Sequence, residues 1–415
     1  MGAIRINSEI GKIQKVIIHK PGFEIENMTP STAQSLLYDD ILDLNVSVSE
    51  HDELVNILNL HTKTFEVTNL LKDVITDEKI KENLIKDLIQ SMNASPNVIE
   101  DLMKLSPENL SSKLITGIEL KRDSLTTYLS DKKYEIPPLP NLFYTRDCAM
   151  VVNNSVITGS MANRIRSAES IIMKHIFQNH KEFQPNNFYF DGTQNYDNSP
   201  TIEGGDVLII REDVLAIGLS ERTNPQAIDL LIKNLRKAGK VKHIFTIILP
   251  KERSMIHLDM TFTMVDKHYA VVYEPIILKK QNGVVHIDLT GDEDKYNREL
   301  NIIEGLKTVG IELEPVLCGG PNLLYQKREQ WMAGANYFTM APGKVVGYGR
   351  NIRTFEELAK VAKMPRLEAK DILSGKINLN DYDRYAIAIS GADLPRGGGG
   401  GRCMTMPILR DEVKW

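Results

Sequence analysis

Residues 206–220, "DVLIIREDVLAIGLS", followed by 224–239, "NPQAIDLLIKNLRKAG", carry the pattern that decides the fold. Two apolar runs flank a polar turn, and an amphipathic stretch then closes on a glycine that suits a helix C-terminus. The reading is strand, turn, strand, helix. The same order recurs on either side. Upstream stands "CAMVVNNSVITGS", with its turn at Asn153-Asn154, followed by the amphipathic "RSAESIIMKHIFQNH". Downstream come "MTFTMVDKHYAVVYEPII" with a helix at "NRELNIIEGLKTVG", and "NYFTMAPGKVVGYGRN" with a helix at "TFEELAKVAK".

A fifth copy is split between the ends of the chain. "RCMTMPILR" (402–410) can pair with "KIQKVIIHKPG" (12–22), and "SEHDELVNILNLH" supplies the helix. Pairing the ends closes a ring and hides sheet edges that would otherwise invite aggregation. The expected fold is therefore α/β: a five-bladed, pseudo-symmetric α/β propeller of ββαβ-type units. One stretch departs from the pattern. Residues 71–130 read as helical, with Ile80, Leu84, Ile85, Leu88 and Ile89 on one face, and with "SPNVIEDLM" and "SPENLSSKL" each starting on a serine cap and a proline. The expected division is a propeller formed by 1–70 and 131–415 and an inserted helical bundle over 71–130, the latter serving packing or assembly.

The 415 residues are enough for an ample core. With 55 acidic against 50 basic residues the net charge is −5, which gives no long-range attraction to nucleic acid or anionic lipid. No apolar run is long enough for a membrane span, and "MGAIRINSEIGK" lacks the apolar core of a secretory signal. A cytoplasmic protein is expected. Cys148, Cys318 and Cys403 are odd in number and far apart, so each should be a free thiol.

Polar residues gather just before the first strand of each unit: Asp147 in "YTRD", Glu203 and Asp206 in "EGGD", His257 and Asp259 in "HLD", and Cys403 behind the glycines of "LPRGGGGGRCMTMP". In a closed ring these positions would converge on the axis. The HxD spacing would put His257 and Asp259 on the same side of a strand. Glycines without a Cβ let a loop bend and bring bare amides against a ligand, which favours Cys403 as a nucleophile, whereas Cys148 and Cys318 read as small buried residues. Metal is disfavoured, because there is no HExxH and no cysteine-rich ligand set. No cofactor is expected. A pocket of carboxylates, a histidine and a thiol suits a planar permanent cation, and guanidinium pairs with carboxylates two bonds at a time. Thiolate attack on its carbon, proton donation from His257, loss of ammonia and hydrolysis of the thiouronium would give a ureido product. Carboxylates around an empty site should raise the thiol's pKa, so that the arriving cation promotes the thiolate.

"FYTRD", "EGGD", "SERTN", "HLD", "YGRN" and "RGGGGGRCMTMP", in this order and over nearly the whole chain, resemble the arginine deiminases of the guanidino-group-modifying superfamily. The resemblance implies hydrolysis of free L-arginine to L-citrulline and ammonia without metal or organic cofactor. By motif it makes Cys403 the nucleophile and His257 the acid/base. Asp147 and Asp259 become the guanidinium-binding carboxylates, and Glu203 a third acid that orients histidine or substrate. Arg222 in "ERTN" is the best match for gripping the substrate carboxylate, with Asn141 as polar helper and Arg166 as a further ligand that Arg164 could replace. Tyr144 stands where the family commonly has phenylalanine, keeping the stacking surface and adding a hydroxyl. Arg396 or Arg402 would gate the pocket, and Gly400 belongs with the substrate-binding residues. The expected partner is L-arginine, with no nucleic acid or membrane, in a homo-oligomer of two or more chains. Rival readings are amidino transfer to an amine, deimination of agmatine or of a methylated arginine, and a sensor that binds arginine without turnover. Arginines near the motifs favour a substrate carboxylate, which agmatine lacks, and a sensor would need neither Cys403 nor His257.

Overall fold

Asn153, at φ 53°, turns the chain between Ala149–Val152 and Ser155–Thr158, which pair antiparallel, and Ser155–Thr158 then runs parallel to Asn187–Asp191 after the helix Ser167–Asn179. A residue in the left-handed region at such a turn is characteristically asparagine or glycine. The computed structural model that shows this describes residues 4–38, 40–183, 187–194, 199–279 and 283–415.

Among those residues the same connection occurs in four further sheets. Val207–Arg211 pairs antiparallel with Val214–Leu219, which runs parallel to His243–Ile248. The helix between them, Pro225–Ala238, starts at Asn224, whose side chain accepts the Ala227 N–H, and ends at Gly239 with φ 69°. Phe262–Met264, Tyr269–Val272 and Glu314–Leu317 form the next sheet, and Phe338–Ala341, Lys344–Tyr348 and Tyr385–Ile389 the one after. The last joins the termini: Met406–Arg410 lies antiparallel to Ile13–Ile18, which runs parallel to Lys63–Glu66 across the helix Leu44–Asn59. Arg5 adds a further stitch, its N–H donating to Ile408 O while its carbonyl accepts from Arg410 N–H. The result is a mixed α/β fold.

Two expectations change. "NRELNIIEGLKTVG" is not one helix: Lys295–Glu299 is a strand, and the helix is Ile302–Thr308 behind the Asn301 cap. Lys295–Glu299 and Val284–Asp288 extend the preceding sheet beyond His243–Ile248, so this stretch serves one sheet before its helix serves the next. The segment 71–130 is not helical throughout either. Helices run over Val67–Val74, Glu78–Met92, Ile99–Met103 and Pro107–Thr116, but Ile118–Glu119 then pairs with Tyr134–Ile136. Ser95 and Ser106 cap as expected. Leu84, Leu88 and Leu110 join one apolar cluster with Met150, Ile172 and Ile209, so the helical segment shares a core with two of the sheets.

Candidate active site

Four of the five sheets present a buried polar residue within three positions of the first strand: Asp147 before Ala149, Asp206 before Val207, Asp259 before Phe262, and Cys403 before Met406. The fifth presents Asn336 before Phe338, which the motifs alone did not single out. Its Oδ1 accepts the backbone N–H groups of Arg402 (3.0 Å) and Cys403 (3.2 Å), and its Nδ2 donates to Asp259 O at 3.2 Å. It thereby ties the cysteine loop to the aspartate turn.

His257 and Asp259 do not sit on a strand. His257 precedes the 3-10 turn Leu258–Met260, which contains Asp259, and the tight turn sends the two side chains to different partners. His257 Nε2 lies 2.9 Å from Glu203 Oε2, and its Nδ1 lies 3.6 Å from Asp147 Oδ1. Gly205 makes this approach possible, since a Cβ there would stand 2.4 Å from His257 Nδ1. Asp259 accepts from Arg402 Nη1 at 2.8 Å and from the Cys403 thiol at 3.6 Å. Arg402, 1% exposed, also forks onto Glu9, at 3.1 Å through Nε and 3.0 Å through Nη2. Glu9 carries no motif and comes from the N-terminal segment.

Burial sets the electrostatics. It would lower the His257 pKa, but Asp147 and the hydrogen bond to Glu203 outweigh it and raise the group to about 9, so the ring is an imidazolium at neutral pH. Burial would raise Glu203, yet Arg222 and His257 hold it down at about 2. Burial, followed by Asp259 and Asp147, pushes the Cys403 thiol well above its usual range, against the opposing Gly400 backbone hydrogen bond and Arg402. Burial likewise raises Asp206 to about 7, against His257 and the Ser220 hydrogen bond.

The expected binding residues divide by what their polar atoms already hold. Asp147 Oδ1, Asp259 Oδ1 and Arg222 Nη1 are buried and have no hydrogen-bond partner, although Arg222 Nη1 stands 3.8 Å from Glu203 Oε1. Orphaned buried groups of this kind are costly unless a ligand or water meets them. Arg166 is spent differently: it chelates Glu169 (2.8 Å through Nη2), donates to Asp147 Oδ2 at 2.8 Å, and reaches Asn141 O at 3.4 Å. Through these bonds it holds Asp147 in place. Arg164 turns away and donates to Ser91 O. Asn141 Nδ2 donates to Leu36 O, and the Tyr144 hydroxyl donates to Leu394 O (3.0 Å) while accepting from Gly399 N–H (3.1 Å). Arg396 is half exposed and pairs with Asp40 at 3.2 Å, beside a cavity of about 280 Å³ that Gly398, Arg253 and Trp331 also line. Of the two flanking arginines, Arg396 is the one at a surface opening. Cys148 and Cys318 are buried free thiols, Cys148 donating to Thr145 O.

Asp147, Glu203 and His257 also offer three ligand atoms within 4.8 Å of one another. A metal dication there would share the two acids with Arg166, which is 3.9 Å from Glu203, and with Arg222. Those guanidiniums make the cluster a poor metal site.

The mixed α/β fold is shared with two solved structures. SxtG, an amidinotransferase from Microseira wollei in the saxitoxin biosynthetic pathway, aligns with a TM-score of 0.50 at 14% identity over 99% of this chain and 98% of its own. DDAH from Pseudomonas aeruginosa, a cysteine-to-serine mutant complexed with citrulline, aligns at 0.51 and 12% identity over 96% and 100%. Sequence narrows this further. Residues 34–410 match the arginine deiminase family model, and arginine deiminases of Bacillus cereus and Staphylococcus haemolyticus are 33% and 32% identical over 99% of each chain. The chain belongs to the arginine deiminase family. No helix among the described residues is long and apolar enough to cross a membrane.

Proposed function

We propose that the protein hydrolyses free L-arginine to L-citrulline and ammonia through a covalent Cys403 thiouronium. The observation that carries this is the pair of buried carboxylates, Asp147 and Asp259, each with one oxygen that accepts no hydrogen bond, with the Cys403 sulfur 3.6 Å from Asp259 Oδ2 and with Arg222 Nη1 making no hydrogen bond beyond its 3.8 Å ion pair to Glu203. The oxygens suit the two edges of a guanidinium and Arg222 suits an α-carboxylate.

The cation, paired with Asp147 and Asp259, offsets the charges that hold the thiol protonated, and the thiol's proton is released to solvent as the cation binds. The thiolate then bonds to the guanidinium carbon and one C–N π pair moves onto nitrogen. His257 gives its proton to a terminal nitrogen, the C–N bond breaks, and ammonia departs, leaving the S-alkyl thiouronium. Neutral His257, oriented by Glu203, then takes a proton from water as its oxygen attacks the same carbon, and collapse expels the sulfur, which recovers a proton from the hydroxyl, and yields citrulline. No redox or metal step is required. Arg166 acts by holding Asp147, Tyr144 and Asn141 by fixing the glycine loop and its neighbours, and Gly400 by its hydrogen bond to the sulfur. The five sheets fit a pseudo-symmetric propeller that gathers these residues at its axis, with the helical insertion outside it, in a cytoplasmic homo-oligomer. Citrulline and ammonia formed in equal amounts from arginine, and lost in Cys403→Ala, test the reading. Ornithine formation with an added amine acceptor would favour amidino transfer instead.

A further inference from the structure

Behind His257 lies a second layer of polar contacts that touches none of the atoms assigned to substrate. Asp206 is fully buried, and its Oδ1 accepts the N–H of Leu258, the residue after His257, at 2.9 Å. Its Oδ2 accepts the Ser220 hydroxyl at 2.6 Å. Ser220 Oγ in turn accepts the backbone N–H groups of Arg222 (2.9 Å) and Thr223 (3.2 Å). Thr223 Oγ1 accepts from Glu203 N–H at 3.2 Å, and Asp206 N–H returns to Glu203 O at 3.1 Å. Three turns, 203–206, 220–223 and 257–259, are thus joined through one carboxylate and two hydroxyls. The joint has little slack: a Cβ at Gly218 would stand 2.2 Å from Asp206 Oδ1 and 3.0 Å from Leu258 Cβ.

Each of the three turns delivers one functional end. The 203 turn carries Glu203, the 257 turn carries His257, and the 220 turn carries Arg222, whose backbone N–H is itself held by Ser220. The Arg222 guanidinium is held from the side by Glu221, to which its Nε donates at 3.3 Å, while Ser220 fixes its backbone from behind. We propose that the Asp206–Ser220 pair is a positioning strap that fixes the separation between the guanidinium end of the site and the carboxylate end at Arg222, and so selects substrates by chain length. This rests on the function proposed above. A strap of this kind acts on the difference between substrates, since a displaced anchor penalises the ligand whose length it matched more than one of another length.

The test is steady-state turnover of L-arginine, of L-homoarginine, which is one methylene longer, and of agmatine, which has no carboxylate, by wild type, Ser220→Ala, Ser220→Thr and Asp206→Asn. Ser220→Ala removes a half-buried hydroxyl and should fold even if Asp206→Asn does not. The expected result is a fall in kcat/KM for arginine of about tenfold or more in Ser220→Ala, carried mainly by KM. The arginine-to-homoarginine ratio should shrink about fivefold or more, agmatine turnover should change least, and Ser220→Thr should keep the wild-type ratio. An equal fall for arginine and homoarginine, with the ratio unchanged in an active variant, would overturn the strap alone. A wild type inert toward arginine would overturn the proposed function and the strap with it.

Discussion

The Cys403 thiol donates to Asp259 Oδ2 across 3.6 Å, inside a site from which both residues are almost wholly shut off from solvent. A donor bond from S–H to a carboxylate stabilises the protonated sulfur, and burial adds to it. The free protein should therefore be nearly inert to iodoacetamide at neutral pH, with alkylation rising only in strongly alkaline buffer. A bound guanidinium ligand too short to cover the sulfur should speed alkylation at neutral pH by neutralising Asp147 and Asp259. Mass-spectrometric alkylation rates against pH decide this, and a thiol in the free protein that titrates below neutrality would contradict it.

His257 gives the alkaline limit. Because its folded pKa is raised from 6.5 to about 9, it carries its proton below that value and loses it above. As general acid it should make kcat/KM fall as pH rises through about 9, since that parameter reports the free enzyme. The kcat profile should fall at lower pH, because bound guanidinium offsets Asp147, the largest charge raising the ring. Glu203→Gln removes the 2.9 Å partner and should move the kcat/KM limb down by about one unit or more. It should also cost about a hundredfold in kcat. A limb that stays in place in this variant would show that Glu203 does not tune the histidine.

Much of the site was readable because the repeat was readable. Asp147, Asp206, Asp259 and Cys403 stand at matching places ahead of short apolar strands, and the pattern carried far enough would also have named Asn336 ahead of "YFTM". Which arginine faces inward was not readable. Arg164 and Arg166 flank a single residue on the 3-10 turn Arg164–Arg166, where each position turns the side chain by about 120°, so spacing could not separate Ser91 from Asp147 as the partner. Glu9 left no signal, since its importance is set by the Arg402 that reaches it across the whole length of the chain. The strand Lys295–Glu299 was hidden because its side chains are mostly exposed, leaving no apolar alternation.

A largely buried ion triad just after the first strand offers a separate stability test. His19 lies 2.7 Å from Glu66 through Nδ1 and 3.4 Å from Glu24 through Nε2. Burial works against its charge, but Glu66 and Glu24 outweigh it and raise its pKa to about 10. For a raised histidine the stabilisation is complete below the unfolded pKa of about 6.5 and decays as pH climbs through about 10. His19→Gln strands two carboxylates and should cost about 3 kcal/mol near pH 6. Thermal melts of both proteins at about pH 6 and about pH 10.5 should show the gap in Tm closing at the higher pH. An equal gap at both would mean that packing, and not charge, is what His19 supplies.

The five glycines of 397–401 are not equivalent, and substituting neighbours separates their roles. Gly398 has φ +93° with nothing within 4 Å of a built Cβ, so alanine there meets backbone strain but no collision. Gly399→Ala would put its Cβ 2.5 Å from Tyr144 Cε1 and 3.0 Å from Cys403 Cβ, against a ring whose hydroxyl is already fixed to Leu394 O and to Gly399's own N–H. Tyr144 has no room to yield, since it packs at a 4.0 Å centroid distance on Phe143, which is itself buried. The strain is relieved by moving the loop, and Cys403 moves with it. Gly398→Ala should lose about 1 kcal/mol of stability and keep most of its kcat, whereas Gly399→Ala should lose kcat by about a hundredfold or more. Turnover measured beside denaturant melts distinguishes them, and a Gly399→Ala protein with wild-type kcat would show that the loop's close approach to Tyr144 does not set the position of the sulfur.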